Sequence, residues 1–137
     1  MKLNGPSFVA DADFVKALEA RARPFCCAKT ETLFRQGDSP DRLYILEKGR
    51  TTLTVHTRTG DQKFGEQTLP GSVLGLPGVI GNVPYSLTAT AEKGSELRVI
   101  SKDEFHALLQ SQPALTFHAL KMLAAEVHSA RRSVNKR

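Results

Sequence analysis

Hydrophobic residues change their spacing twice along this chain. Near the N-terminus they recur every four residues, at Phe14, Leu18 and Ala22, until Pro24 interrupts the pattern. Spacing close to the helical repeat of 3.6 residues predicts one short amphipathic helix that ends at the proline. From residue 30 to residue 100 the repeat shortens to two.

Strands are predicted where apolar and polar residues alternate in this central part. The alternating apolar pairs are Leu43 with Ile45, Leu53 with Val55, and Leu97 with Val99. A period of two, with β-branched threonines between several of the apolar residues, is typical of strands that bury one face. We therefore expect half-buried β-strands between residues 30 and 100.

Glycines punctuate the predicted strands at regular intervals. Gly49, Gly60 and Gly71 recur every eleven residues, and Gly94 follows Lys93 in a later turn. Short strands at such spacing predict a roll, a barrel or a sandwich.

The alternation stops between Gly75 and Pro84, where the chain reads LPGVIG at residues 76–81. Pro77 fits the first turn of a very short helix, because a proline there loses no hydrogen bond. A helical insert in a β domain is a candidate ligand loop.

Two helices are predicted after the last strand. Ser101 and Glu104 have the spacing of a capping box, and the buried face behind it consists of Phe105, Leu108 and Leu109. Pro113 then begins the final helix.

The final helix carries two apolar stripes. One alternates steps of three and four residues through Leu120, Leu123, Val127, Ala130 and Val134. This is the seam of a two-stranded coiled coil, so we expect a parallel homodimer. A second stripe, Leu115, Ala119 and Met122, is left to pack on the chain's own sheets. The alternative is that the seam itself packs there.

Length and composition fit a single domain, residues 1–137, because 40% of the 137 residues are hydrophobic. We divide it into an N-terminal helical part at 1–29, strands at 30–100 and C-terminal helices at 101–137. The net charge of +5 permits an acidic partner without requiring one. No stretch is apolar enough for a signal peptide or a membrane span, and the protein is expected to be cytoplasmic.

Catalytic and metal-binding signatures are absent from the sequence. Its four histidines, His56, His106, His118 and His128, show no metal-ligand spacing, and no nucleophile elbow, P-loop or dinucleotide fingerprint occurs. The adjacent Cys26 and Cys27 cannot build a disulfide framework and are expected to be small buried residues, with a redox-sensing thiol as the alternative. We therefore expect no enzyme and no metal.

Two segments carry a resemblance to a known family. The first is LFRQGD at residues 33–38 followed by LYILEKG at residues 43–49, and the second, the cassette, is residues 74–91. Together they resemble the cyclic-nucleotide-binding domain of Crp/Fnr regulators and protein-kinase regulatory subunits. The resemblance covers nearly the whole chain and implies an antiparallel, jelly-roll-like β-roll with flanking helices, mainly β in class. In the cassette, Gly75, Pro84, Thr88 and Ala91 match the family pattern without a gap.

The two charged anchors of the family cassette are replaced in this chain. The resemblance implies a glutamate that binds the ribose hydroxyl and an arginine that pairs with the cyclic phosphate, but these positions hold Leu76 and Tyr85. Loss of the arginine should cost about 2–5 kcal/mol in a desolvated site, so we expect weak or altered cyclic-nucleotide binding. Ser86, the Tyr85 hydroxyl and backbone N–H groups remain for a ligand. The candidate ligand-binding residues are Gly75, Leu76, Pro77, Gly78, Val79, Ile80, Pro84, Tyr85, Ser86, Leu87 and Thr88.

Three alternatives remain for the interior of such a cassette: a cyclic nucleotide (cyclic AMP or cyclic GMP), an apolar ligand such as a haem-like cofactor, or a core filled by the chain itself. The family's long helix closes over the ligand, so candidate lid positions are His118, Lys121, Met122 and Ala125.

The expected function is a non-catalytic regulatory module that senses a small molecule and passes the signal to a protein effector. The chain ends at Arg137 without room for a helix-turn-helix domain, so sequence-specific DNA binding is not expected. A basic cluster, Arg131, Arg132, Lys136 and Arg137, could instead touch phosphates or complement the helix C-terminus. Two alternatives remain: the cyclic-AMP-binding sensor portion of a longer Crp/Fnr-type transcriptional regulator, and a dimeric scaffold without ligand.

Overall fold

The structure, a computed structural model, describes residues 12–122, apart from the side chains of residues 64 and 67. Its elements are α1 (Ala12–Glu19), β1 (Arg23–Cys26), β2 (Glu31–Phe34), β3 (Arg42–Lys48), β4 (Thr51–Thr57), β5 (Gly60–Gln67), β6 (Ser72–Leu74), α2 (Leu76–Gly81), β7 (Thr88–Ala91), β8 (Glu96–Ser101) and α3 (Lys102–Ser111). Residues 114–122 are also helical. The helical insert appears where the alternation of hydrophobic residues stops.

The strands form two four-stranded antiparallel sheets. One has the order β1-β8-β3-β6 and is called the β3 sheet below; the other, the β4 sheet, has the order β2-β7-β4-β5. The Tyr44 hydroxyl of the β3 sheet donates to the Leu33 carbonyl of the β4 sheet over 3.4 Å, so the two sheets face each other across the core. The predicted class, mainly antiparallel β-roll with flanking helices, is confirmed.

Strand β3 departs from the predicted half-buried pattern. Four consecutive residues, Leu43 to Leu46, are at most 2% exposed, so both faces of the strand are covered. One face meets the β4 sheet, while helix α3 packs on β8 beside it and α1 in turn contacts α3. Alternation fails here because the helices remove the solvent side of a strand in the middle of its sheet.

The N-terminal boundary also differs from the prediction. Helix α1 buries Phe14 and Leu18 but ends at Glu19, and Pro24 lies inside a strand that the sequence pattern missed. Strand β1 pairs with β8 alone, at the edge of the β3 sheet. A proline is compatible with an edge strand because its missing N–H removes no interior hydrogen bond. The part at residues 1–29 therefore contributes a strand to the roll.

The neighbouring cysteines divide between surface and core. Cys27 is buried and Cys26 is exposed, and both are free thiols. The expectation that both are buried is therefore wrong for Cys26, because successive side chains of an extended segment point to opposite sides. Burial raises the pKa of the Cys27 thiol.

The C-terminal helices follow the predicted capping and burial. The Ser101 hydroxyl accepts a hydrogen bond from the Glu104 amide at 3.1 Å. Phe105 and Leu108 are buried and Leu109 is partly buried. In helix 114–122 the core-facing stripe is Leu115, Ala119 and Met122, all at most 7% exposed.

The predicted dimer seam is only partly within the described residues. Leu120 is 53% exposed, as a seam residue of an unpaired helix would be. The other seam residues, Leu123, Val127, Ala130 and Val134, lie outside the described residues, as does the basic cluster from Arg131 onwards. The seam stays a prediction.

The turn glycines have the left-handed backbone conformation that favours glycine. Gly49, Gly60, Gly71 and Gly94 all have positive φ, between 87° and 117°. Within residues 12–122 no helix is long and apolar enough to cross a membrane. The same residues contain no group of three or more side chains that could hold a metal ion.

Candidate functional site

The cassette connects β6 to β7 through α2. It begins at Gly75, whose φ of 94° places it in the left-handed region, and Pro77 lies in the first turn of α2. The helix ends at Asn82, also left-handed with φ 52°. Two left-handed residues therefore turn the chain sharply into and out of a six-residue helix.

The two sequence motifs meet in space. The Gly37 amide donates to the Tyr85 carbonyl at 2.8 Å, and the Tyr85 amide donates to the Asp38 carbonyl at 3.1 Å. One residue earlier in the first motif, the Gln36 amide donates to the Thr88 hydroxyl at 2.9 Å. The turn of the first motif thus fixes the backbone of the cassette from Tyr85 to Thr88.

Tyr85 points into the protein rather than into a ligand site. It is 3% exposed, and its ring stacks on Phe34 with centroids 4.0 Å apart and planes inclined by 15°. Its hydroxyl donates to the Arg42 carbonyl at 2.7 Å and accepts from the Arg42 amide at 3.1 Å. Burial raises the pKa of this phenol. The hydroxyl is therefore engaged within the chain in this structure, and its use by a ligand stays a prediction.

The other cassette residues divide between core and surface. Leu76 and Val79 have no exposed area, and a Cβ on Gly78 would lie 3.0 Å from the Val83 carbonyl oxygen and 3.3 Å from the Tyr85 ring. Ile80 and Leu87 are partly buried, Thr88 is half-buried, and Pro84 and Ser86 are exposed. The apolar residues that replace the family's charges are therefore packing residues.

The space left inside the cassette is small. Its cavity has a volume of about 30 Å³ and is lined by Phe34, Leu53, Val73, Leu74, Gly75, Pro77, Gly78, Tyr85, Ser86 and Leu87. That volume is about the share of one water molecule in the liquid, whereas small-molecule pockets typically have about 300–1,000 Å³. In this structure the chain's own side chains therefore fill most of the interior of the cassette.

Asp41 and Arg42, which the sequence reasoning missed, adjoin the Tyr85 hydroxyl. The Asp41 carboxylate binds the Arg42 guanidinium through two hydrogen bonds, Nε to Oδ1 at 3.0 Å and Nη2 to Oδ2 at 2.9 Å. This pair lowers the pKa of Asp41 and raises that of Arg42. Tyr85 Oη lies 3.4 Å from Asp41 Oδ1. An adjacent Asp-Arg pair at the start of a strand was the available signal, but sequence spacing does not show that it meets residue 85.

Helix 114–122 does not cover the cassette in this structure. His118 stacks against Phe14 of α1 with ring centroids 6.5 Å apart, and Lys121 lies over the Phe117 ring at 5.3 Å. Among the described residues, those that line the cassette cavity do not include His118, Lys121 or Met122. The fourth lid position, Ala125, lies outside the described residues.

Comparisons with known proteins agree with the fold. FnrA of Stutzerimonas stutzeri, a transcriptional activator, is 26% identical over 117 residues, which are 85% of this chain and 47% of FnrA. The potassium channel KAT3 of Oryza sativa subsp. japonica is 29% identical over 97 residues, 71% of this chain and 19% of the channel. The chain thus spans less than half the length of these relatives.

Solved structures show the same architecture. The catabolite activator protein of Thermus thermophilus superposes with a TM-score of 0.78 at 19% identity, over 91% of this chain and 59% of that one. A family model described as "Cyclic nucleotide-binding domain" matches residues 26–112, which include both motifs. Because that match spans well over half of its length, this chain belongs to the cyclic nucleotide-binding domain family.

Proposed function

We propose that this chain is a non-catalytic regulatory module that senses a small molecule and whose cassette binds cyclic nucleotides weakly or not at all. Membership of the family supports a sensing, regulatory role. The observation that carries the finer proposal is Tyr85, which occupies the phosphate-arginine position and turns inward to bind the backbone of Arg42.

Two costs oppose a cyclic nucleotide in this cassette. The missing arginine-phosphate pair is worth about 2–5 kcal/mol in a desolvated site. A ligand would also have to open a cavity of about 30 Å³ by displacing Leu76, Val79 or Tyr85, all of which are packed in the core. Breaking the two Tyr85 hydrogen bonds adds about 1–3 kcal/mol. Together the two quantified terms weaken binding by at least about a hundredfold relative to an open, charged cassette, and the displacement of packed side chains weakens it further.

Calorimetric titration with cyclic AMP and cyclic GMP tests this proposal. We expect no saturable heat at micromolar ligand and no rise of the melting temperature below about 1 mM nucleotide. The double variant Leu76→Glu with Tyr85→Arg restores both charged residue types, and it should bind cyclic AMP at least about tenfold more tightly than the unchanged chain.

A matched control separates charge from loosened packing. Leu76→Gln with Tyr85→Gln disturbs the same two core positions without adding charge, and we expect it to remain as weak as the unchanged chain. Circular dichroism establishes that each variant is folded before titration. Micromolar binding of either nucleotide by the unchanged chain would contradict the proposal.

A paired scaffold is the second candidate function. Phe117 and Leu120 are 63% and 53% exposed on helix 114–122, next to the predicted seam. Leu120→Glu places a charge in that seam and should turn a dimer into a monomer in sedimentation equilibrium. Ala114→Glu adds the same charge at an exposed position of the same helix that lies away from the seam, and it is the control. A monomeric unchanged chain would remove this candidate.

The chain also fits the sensor portion of a longer regulator, because it spans 47% of FnrA. Whether the chain acts alone or as part of a longer regulator, its output is a change in the surface offered to a protein effector. That change is produced when a ligand favours one conformation of the cassette.

A further inference from the structure

A second cavity, much larger than the one in the cassette, opens where β1, β3 and β8 meet. Its volume is about 570 Å³, within the range of about 300–1,000 Å³ that is typical of small-molecule pockets. Its lining includes Arg23, Phe25, Asp41, Arg42, Tyr44 and Val99, and it is called the arginine pocket below.

Strand register places these side chains on one face of the β3 sheet. Val99 is the partner of both Tyr44 on β3 and Arg23 on β1, while Arg42 pairs with Ser101 one step further along. Directly paired residues of antiparallel strands share a face, as do residues two apart on one strand. Arg23 and Arg42 therefore flank the pocket from strands about 10 Å apart, with β8 between them.

The two arginines differ in what they already bind. The Asp41 carboxylate holds Arg42 through two hydrogen bonds, which also fix the position of its guanidinium. Arg23 is exposed, and within residues 12–122 its side chain has no recorded hydrogen bond or ion pair. Two guanidinium groups and one carboxylate leave the pocket with a single positive charge. A monoanion neutralises that charge, whereas a dianion such as a phosphate monoester would leave the pocket with a net negative charge.

The rest of the lining is aromatic and aliphatic. Phe25 meets Tyr44 edge to face with ring centroids 5.5 Å apart, and Val99 completes the wall. Such a surface takes a planar ring by stacking or edge contacts, and a guanidinium at its rim pairs with a carboxylate through two parallel hydrogen bonds. We propose that the arginine pocket binds an aromatic monocarboxylate, with its carboxylate on Arg23 and its ring against the part-exposed Phe25 and Val99.

A ligand in this pocket is connected to the cassette through Tyr85. Asp41 and Arg42 line the pocket, and the Tyr85 hydroxyl contacts the backbone of Arg42 and, at 3.4 Å, the Asp41 carboxylate. The negative charge of a carboxylate held on Arg23 acts on the Arg42–Asp41 pair across the pocket, and a shift of that pair alters the contacts of the Tyr85 hydroxyl. This inference rests on the proposed regulatory function: the pocket receives the ligand, and the cassette, filled by its own side chains, transmits the change to α2.

Nuclear magnetic resonance titration of the uniformly ¹⁵N-labelled chain tests the pocket, with phenylacetate as the probe. We expect saturable shifts at the amides of Arg23, Phe25 and Val99, with a dissociation constant on the order of 1 mM or tighter. Phenylacetamide has the same shape without the charge, and phenyl phosphate carries a second charge. Both should bind at least about tenfold more weakly than phenylacetate.

Arginine variants provide the matched comparison. Arg23→Gln should weaken phenylacetate binding at least about tenfold. Arg58→Gln, an exposed arginine in the turn between β4 and β5, should leave it unchanged. Equal affinity of the Arg23→Gln variant and the unchanged chain, or no saturable shift at about 10 mM phenylacetate, overturns the assignment of the pocket.

The connection to the cassette has its own readout. In the unchanged chain, phenylacetate should shift the amides of Gly75 and Gly78 together with those of the pocket. In the Tyr85→Phe variant the pocket amides should still shift while those of the cassette do not; cassette shifts of unchanged size in this variant would refute transmission through Tyr85. A parallel cyclic AMP titration separates the two proposals, because micromolar cassette shifts would overturn the proposed function and leave the phenylacetate result standing.

Discussion

Removing the hydroxyl of Tyr85 should destabilise the fold more than removing that of the other tyrosine. Tyr85 and Tyr44 are the two tyrosines of the chain, and they are 3% and 2% exposed. Each Tyr→Phe change keeps the ring and removes one oxygen atom. The comparison therefore isolates the hydrogen bonds from the packing.

The expected magnitudes follow from the geometry of those bonds. The Tyr85 hydroxyl serves both the carbonyl and the amide of Arg42, at 2.7 and 3.1 Å. Loss of this hydroxyl leaves the part-buried amide and carbonyl of Arg42 without this partner, which lowers the free energy of unfolding by about 2 kcal/mol. The Tyr44 hydroxyl is 3.4 Å from the Leu33 carbonyl oxygen and 3.5 Å from the Arg42 guanidinium, at the limit of hydrogen bonding. Its loss should cost less than about 1 kcal/mol.

Urea unfolding followed by circular dichroism measures both changes. With a slope of about 1–3 kcal/mol per M, Tyr85→Phe should lower the midpoint by about 1 M, and Tyr44→Phe by less than about half as much. The stacking on Phe34 is retained in Tyr85→Phe, so the slope itself should not change. Equal midpoints for the two variants, or a lower one for Tyr44→Phe, would refute the inward orientation of Tyr85.

Two further predictions concern turns and acidity. Gly49→Ala should cost at least about 2 kcal/mol more than Gly60→Ala in urea unfolding: both have φ above 100°, but a Cβ at Gly49 would lie 2.7 Å from the Ser95 Cα and one at Gly60 meets no described atom within 4 Å. Similar losses of stability in the two variants would show that the positive φ alone, and not the contact with Ser95, determines the destabilisation. A hydrogen bond with Glu47, followed by burial, raises the pKa of Glu19, so the protonated form stabilises the fold and that contribution is lost as pH rises through the raised pKa. Glu19→Gln should therefore raise the urea midpoint at pH 7 and leave it unchanged at about pH 4, where the glutamate is already protonated. A midpoint that does not rise at pH 7 would contradict this.

Hydrophobic spacing predicted the interior strands better than their surroundings. The pairs Leu43 with Ile45 and Leu97 with Val99 lie on β3 and β8 as expected, because alternation reflects the local pleat of a strand. The same pattern did not indicate that helices cover the second face of β3. Strand β1 was missed because its pairing with β8 lies about seventy residues away in sequence, and its proline is tolerated only as a consequence of its edge position.

The cassette could be located from the sequence, but the direction in which its side chains point could not. Its boundaries, its short helix and the loss of both charged anchors follow from residue types at fixed spacing, which local backbone preferences translate into structure. The direction of the Tyr85 side chain depends on Phe34 and Arg42, which join it only when the two motifs pack together.

Residue types and their local spacing were sufficient to predict most of the helices, the interior strands, the turn glycines, and the replacement of the family's glutamate and arginine by Leu76 and Tyr85. Each of these depends on a residue and its near neighbours along the chain. Only the folded structure shows that Tyr85 fills the cassette and that Arg23 and Arg42 flank a larger pocket. Both features depend on contacts between β1, β3, β8 and the cassette. These segments come together only on folding, so no local sequence pattern predicts the distances between them.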